Sequence, residues 1–130
     1  MMILNATTNE IIARKVRICD TFLSRGRGLM FRRPLAEDEA LLFVLRNESI
    51  AGASIHMLFV FFPIAVVWLD QERRVVDVQK ARSFRLYYAP VKPARYFIEG
   101  HPKLVGKVRV GHQLSWIESS AEQQEERQRV

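Results

Sequence analysis

The chain has 130 residues, 48% of them hydrophobic and 26% charged, the size and balance of one globular domain rather than a disordered segment. Its formal net charge is +6. Of 20 basic and 14 acidic side chains, the stretch from Glu118 onward holds two and four, so the body keeps 18 and 10 and carries +8. Such a field favours anionic partners. The single cysteine, Cys19, excludes an intramolecular disulfide and fits a reducing compartment.

Met1 to Lys15 has no basic run followed by an apolar stretch, so a signal peptide is not expected. The most apolar run, Met57 to Leu69, is shorter than the ~20 residues of a spanning helix and is broken by Pro63. The expected location is cytoplasmic, away from membranes.

Ile11, Ala13, Val16 and Ile18 lie among Arg14, Lys15 and Arg17, and strict alternation over Lys15 to Cys19 predicts a half-buried strand, with Cys19 a buried thiol. Asp20 or Thr21 can cap a short helix near residues 20–30, ended by Pro34. Glu37 to Glu39 is an acidic turn, and Ala40 to Leu45 reads as a strand buried on both faces. A loop is expected over Asn47 to Ala53, then strands over Ser54 to Phe62 and Ile64 to Leu69, separated by Pro63, which lacks a ladder N–H. Asp70 to Arg73 reads as a hairpin turn, with a return strand from Val75 to about Ala81. Phe84 to Pro93 is an ordered loop, Ala94 to Glu99 a strand, and Gly100 to Gly106 a turn or one helical turn. Val108 to Ile117 holds two short strands around Gly111-His112. The expected fold is mostly β: one domain over residues 1–118, a β-sandwich or jelly-roll-like barrel with one short helix, and a polar, flexible tail over 119–130.

The segment Arg25-Gly26-Arg27-Gly28-Leu29-Met30-Phe31-Arg32-Arg33-Pro34-Leu35 resembles the "R-x-x-GLM-x-R-x-x-L" signature of the DUF192 family, an uncharacterised conserved family. Leu41 to Val44 resembles its "GMLFVF" block. His56-Met57 through Phe62-Pro63-Ile64 to Leu69-Asp70 resembles its "HM-x-x-x-x-F-P-I-D-V-x-x-L-D" block, and Tyr96 to Glu99 its "Y-V-L-E" block. The resemblance spans about residues 5 to 117. It implies a compact β-sandwich with a small helix and no established activity. The resemblance implies export for many of the family's members, which this N-terminus does not suggest. Two departures stand out: Ala65 occupies the acid position of "F-P-I-D", and Gly111-His112 stands where the family has Gly-Asp. If those acids serve one site, this chain has lost negative charge there.

The histidines His56, His101 and His112 lack zinc-motif spacing, and there is no second cysteine, so neither a metal nor another cofactor is expected. No G-x-S-x-G turn supports a nucleophile. The Arg25 to Arg33 segment is the most distinctive feature. Glycines let backbone approach a ligand, and guanidinium forks bind carboxylate or phosphate, although the arginines can equally pair with Glu37, Asp38 or Glu39. Met57, Phe59, Phe61 and Trp68 read as core. The leading expectation is a non-catalytic domain that binds an anionic small ligand or partner, with Arg25, Arg27, Gly28, Met30, Arg32, His56, Met57, Asp70 and Glu99 as candidate site residues. The alternative from another class is an enzyme whose pocket uses His56, Asp70 and Glu99. A third is a nucleic-acid-associated module along Lys80, Arg82, Arg85, Tyr87, Tyr88, Lys92 and Arg95, where cations alternate with aromatics. Oligomeric state is not legible.

Overall fold

A computed structural model describes residues 1–19, 34–55, 57, 60–83 and 87–118. Among the described residues eight strands form two sheets: β1 (Met2–Asn5), β2 (Glu10–Ala13), β3 (Lys15–Cys19), β4 (Glu39–Ser49), β5 (Ile64–Leu69), β6 (Val75–Ala81), β7 (Ala94–Gly100) and β8 (Leu114–Ile117). The larger sheet has the order β3-β4-β7-β5-β6 and the smaller one β2-β1-β8. All pairs are antiparallel except β3–β4, whose register runs from Lys15 opposite Glu39 to Cys19 opposite Phe43. A parallel pair needs a crossover of a dozen or more residues, and residues 20–38 supply that length. A 3-10 turn, Pro102–Gly106, packs beside β5, so close that a Cβ on Gly100 would lie 3.0 Å from Leu104.

The sheets pack as a sandwich, and among the described residues there is no closed barrel. Two cores result, one on each face of the larger sheet. Between the sheets lie Ile3, Ala40, Leu42, Ala65, Val67, Leu69, Ile98 and Leu114. The other face carries Leu41, Phe43, Val66, Trp68 and Phe97, covered by Ala53, Ile55, Met57, Val60, Phe62 and Tyr88. β5 is buried at all six positions because both its faces are covered, which explains its unbroken apolar run.

The expected strands β3, β5 and β6 have the bounds read from the sequence, and Asp70–Arg73 is the hairpin turn, closed by Arg73 N–H donating to the Asp70 carbonyl at 3.0 Å. Arg73 takes φ +65° there, the left-handed residue that follows a type I turn in such hairpins. Three readings change. β4 runs on to Ser49, into the expected loop. Among the described residues of 54–62 there is no strand, only a bridge from Ile55 to Tyr88, because turn bonds such as Val60 N–H to the Met57 carbonyl fold the segment over the sheet as a lid. Of the two strands around Gly111-His112, only β8 forms; Gly111 (φ +94°) turns the chain into it. The expected helix near 20–30 and the tail 119–130 lie outside the described residues.

Candidate functional site

Cross-strand register defines the face under the lid row by row. Phe43, Phe97 and Trp68 stand side by side on β4, β7 and β5, the two phenyl rings stacked with centroids 4.4 Å apart. Trp68 Nε1–H donates to the Ala53 carbonyl at 2.7 Å and so anchors the lid. The next row is Leu41, Glu99 and Val66. Alternation therefore points Glu99 into an apolar face. It is 8% exposed and flanked by two aliphatic side chains. Its carboxyl has no hydrogen-bond or ionic partner among the described residues, and burial alone pushes its pKa up to about 8. Desolvation disfavours the carboxylate, so Glu99 is mainly a neutral acid at pH 7 and presents an O–H donor.

One row further, about 7 Å along β7, the chain leaves the sheet at His101. Here Pro34, Leu35, Phe62, Pro63, Ile64, Gly100, His101 and Pro102 line a mostly apolar pocket of about 200 Å³. His101 Nδ1 accepts from Lys103 N–H at 3.1 Å, which fixes the ring at the pocket wall. Lys103 in turn reaches Glu37 at 2.5 Å, and this cation holds the Glu37 carboxyl below its ordinary value. Glu37 faces Lys103 and Asp38 faces Lys15.

Arg25, Arg27, Gly28, Met30 and Arg32 lie outside the described residues, as do His56 and Arg85. Their flanks are informative. Cys19 and Leu35 on either side of the arginine segment, and Ile55 and Met57 on either side of His56, all belong to the core on the Glu99 face. Met57 is wholly buried in that core. Asp70 is not brought to Glu99. It follows β5 four residues beyond Val66, about 13 Å of strand away, and its Oδ1 accepts from the N–H groups of Glu72 and Arg74 in the hairpin turn. Sequence reasoning passed over the pocket and its His101 wall. The signal available was the Gly100-His101-Pro102 break directly after Glu99.

The two departures from the family pattern are not neighbours either. Ala65 is fully buried between the sheets, opposite Gly100 at one end of β5. The His112 carbonyl accepts from Val75 N–H, and Val75 pairs with Leu69 at the other end. His112 Nδ1 lies 2.9 Å from Asn5 Nδ2 and 3.2 Å from Arg109 N, so the ring closes a structural junction.

Lys80 near the end of the outer strand β6 and Arg82 just after it are exposed, as are Lys92 and Tyr87 in the segment beside it. Two residues of the expected basic track face elsewhere. Tyr88 is buried under the lid and is no stacking platform, because its hydroxyl and backbone are tied to Arg82 and Ile55. Arg95 is half-buried, donates through Nε to the Leu45 carbonyl and sits over the Tyr96 ring. Among the described residues no group of His, Cys, Asp and Glu could hold a metal, and no helix is long and apolar enough to cross a membrane.

The architecture is that of a small mixed sandwich with an irregular lid, and solved structures share it. A protein of unknown function from Novosphingobium aromaticivorans superposes with a TM-score of 0.75 at 18% identity, covering 88% of this chain and 82% of that one. A protein from Sinorhizobium meliloti, proposed to be a transcription regulator, gives 0.73 at 18% identity over 88% and 89%. At that identity the likeness concerns the fold alone. The family model DUF192, Uncharacterized ACR, matches residues 3–116, and the chain belongs to this family. A UPF0127 protein of Thermococcus kodakarensis is 46% identical over 117 residues, 88% of this chain and 73% of its own. One from Pyrococcus abyssi is 41% identical over 118 residues, 89% and 97%.

Proposed function

We propose that the domain is a non-catalytic binding module for a small anionic ligand, seated on the Glu99 face beside the apolar pocket. The observation that carries this reading is Glu99 itself: a carboxyl set in an apolar row, on a residue only 8% exposed, where burial favours its protonated form. Placing a carboxyl in an apolar row costs stability, most of all in its ionised form. A neutral carboxyl can donate to a ligand oxyanion, whereas an ionised one would repel it. The +8 of the body draws such ligands in, and Arg25, Arg27 and Arg32 belong to this proposal as the cationic side of the site. A cytoplasmic place of action is part of the same reading and rests on the single, buried Cys19.

Titration calorimetry with sulfate and with a small monocarboxylate tests it, since both keep a constant charge between about pH 6 and 9. The expected affinity is steady below pH 8 and falls about tenfold per unit above it, as Glu99 ionises. Glu99→Gln keeps a neutral donor and should bind without that fall. Equal pH profiles for the two proteins would remove Glu99 from the site, and no binding of either anion would sink the reading. The enzyme reading has less behind it, since the described residues do not bring Asp70 to Glu99. A second anionic partner, nucleic acid, would meet a different surface, and the exposed Tyr87 among Lys80, Arg82 and Lys92 favours it.

A further inference from the structure

Strand β6 is an outer strand of the larger sheet, and residues 88–91 are held beside it by hydrogen bonds that involve side chains. Arg82 N–H donates to the Tyr88 hydroxyl at 2.7 Å, Gln79 Nε2 to the Ala89 carbonyl at 3.1 Å, and Val91 N–H to Asp77 Oδ2 at 3.2 Å. Tyr88 is bonded to Ile55 through both its backbone groups and buried. Its neighbour Tyr87 is consequently held on a fixed backbone with 58% of its surface exposed. Phe61, which the sequence places in the core, is also 58% exposed. It lies three residues before Ile64, the residue of β5 that pairs with Ala81 at the end of β6.

Lys80, Arg82 and Lys92 have no acidic partner among the described residues. Asp77, the acid of this edge, is already occupied, accepting from the N–H groups of Val78 and Val91 and from Gln79 Nε2. From the level of Asp77, where Val91 and Lys92 lie, to Arg82 is five residues of strand, about 16 Å. That is room for a few successive phosphates.

We propose that this edge binds single-stranded nucleic acid, with Tyr87 stacking on a base and Arg82, Lys80 and Lys92 pairing with phosphates. The inference rests on the nucleic-acid reading above and narrows it. An exposed ring presents a face to an unpaired base, whereas duplex readout wants a helix or two-stranded ribbon shaped for a groove, and none projects from this edge among the described residues.

The test is fluorescence anisotropy of the whole chain with a labelled oligo-dT of about 12 nucleotides and with the matching duplex, at about 50 and 200 mM salt. The single strand should bind at least about tenfold more tightly than the duplex, with a slope of log affinity on log salt near about −2 for three phosphate contacts. Tyr87→Ala should weaken binding roughly 5- to 150-fold at an unchanged salt slope and melting temperature. Lys92→Ala should instead reduce the slope by about 0.7. Equal binding of duplex and single strand would overturn this inference while leaving the nucleic-acid reading intact. Absence of binding to both at low salt would overturn the two together. A Tyr87→Ala protein that binds oligo-dT as the parent does would remove the stacking platform and the proposal with it.

Discussion

Asn5 and Glu99 are the two polar side chains buried among the described residues, and they belong to opposite faces of the larger sheet. Asn5 follows the between-sheet core of β1. Its Oδ1 accepts from the N–H groups of Thr7 and Thr8 at 3.1 and 3.4 Å, and its Nδ2 reaches the Lys107 carbonyl at 3.1 Å and His112 Nδ1 at 2.9 Å. Every donor and acceptor of that amide has a use, so it is a structural pin joining the β1–β2 turn to the segment before β8. Glu99 sits under an irregular lid rather than a second sheet and has no such set. A satisfied buried polar group explains itself through folding. A carboxyl that desolvation keeps protonated in an apolar row does not explain itself in that way.

The largest test of this contrast is pH. Burial raises the Glu99 pKa in the folded protein to about 8 from the 4.5 of an unperturbed glutamate. The folded state therefore holds the proton where the unfolded state releases it. Its contribution is fully present below about pH 4.5 and is lost as pH rises through 8, by at most roughly 4–5 kcal/mol. Urea unfolding between about pH 5 and 9 should show this fall, and Glu99→Gln should flatten it. Glu99→Leu, volume for volume, should be neutral or stabilising at pH 8. A parent protein with no loss of stability over that range would mean that the carboxyl has a cationic partner after all.

The same substitution logic has the opposite sign on the other face. Asn5→Leu should cost about 2–3 kcal/mol at every pH, because it strands the Lys107 carbonyl and the turn N–H groups. If Asn5→Leu and Glu99→Leu move the urea midpoint in the same direction by similar amounts, the division into pin and site fails.

How much of this was legible beforehand follows the same line. β5 and the hairpin into β6 could be read because apolar pattern, turn residues and pairing all agree within 18 consecutive residues, from Ile64 to Ala81. β1 could not, since its own four residues carry little sequence alternation and its second partner, β8, comes from the far end of the described chain. The 54–62 stretch has strand composition but serves as a lid, so its apolar side chains report burial rather than strand geometry, and Phe61 reports neither. Glu99 was visible through its position in a family-like block. Its lack of a partner was not, because that depends on Leu41 and Val66 from two other strands.

A smaller effect is expected at the lid anchor. Trp68→Phe keeps most of the aromatic volume but deletes the Nε1–H that reaches the Ala53 carbonyl. The cost should be about 1–2 kcal/mol, and hydrogen exchange should rise first at residues 53–57 rather than in β1 or β8. Uniform acceleration across both sheets would mean that the lid does not open independently of the sandwich.

The smallest effect concerns the hairpin that carries Asp70. Arg73 combines two opposing features. Its left-handed backbone costs a non-glycine residue about 1 kcal/mol, while its guanidinium lies 4.6 Å from the Trp116 ring centroid and 5.6 Å from that of Tyr96, worth about 0.5–1 kcal/mol. Arg73→Ala removes the stacking and keeps the strain, so it should lower stability by that amount. Arg73→Gly removes both and should come out near neutral. Thermal unfolding of the two variants side by side therefore reads the two contributions separately, and on the between-sheet side only, since Tyr96 and Trp116 pack against that core. An Arg73→Gly protein less stable than Arg73→Ala would show that the turn is not strained and that the arginine is held there by its rings alone.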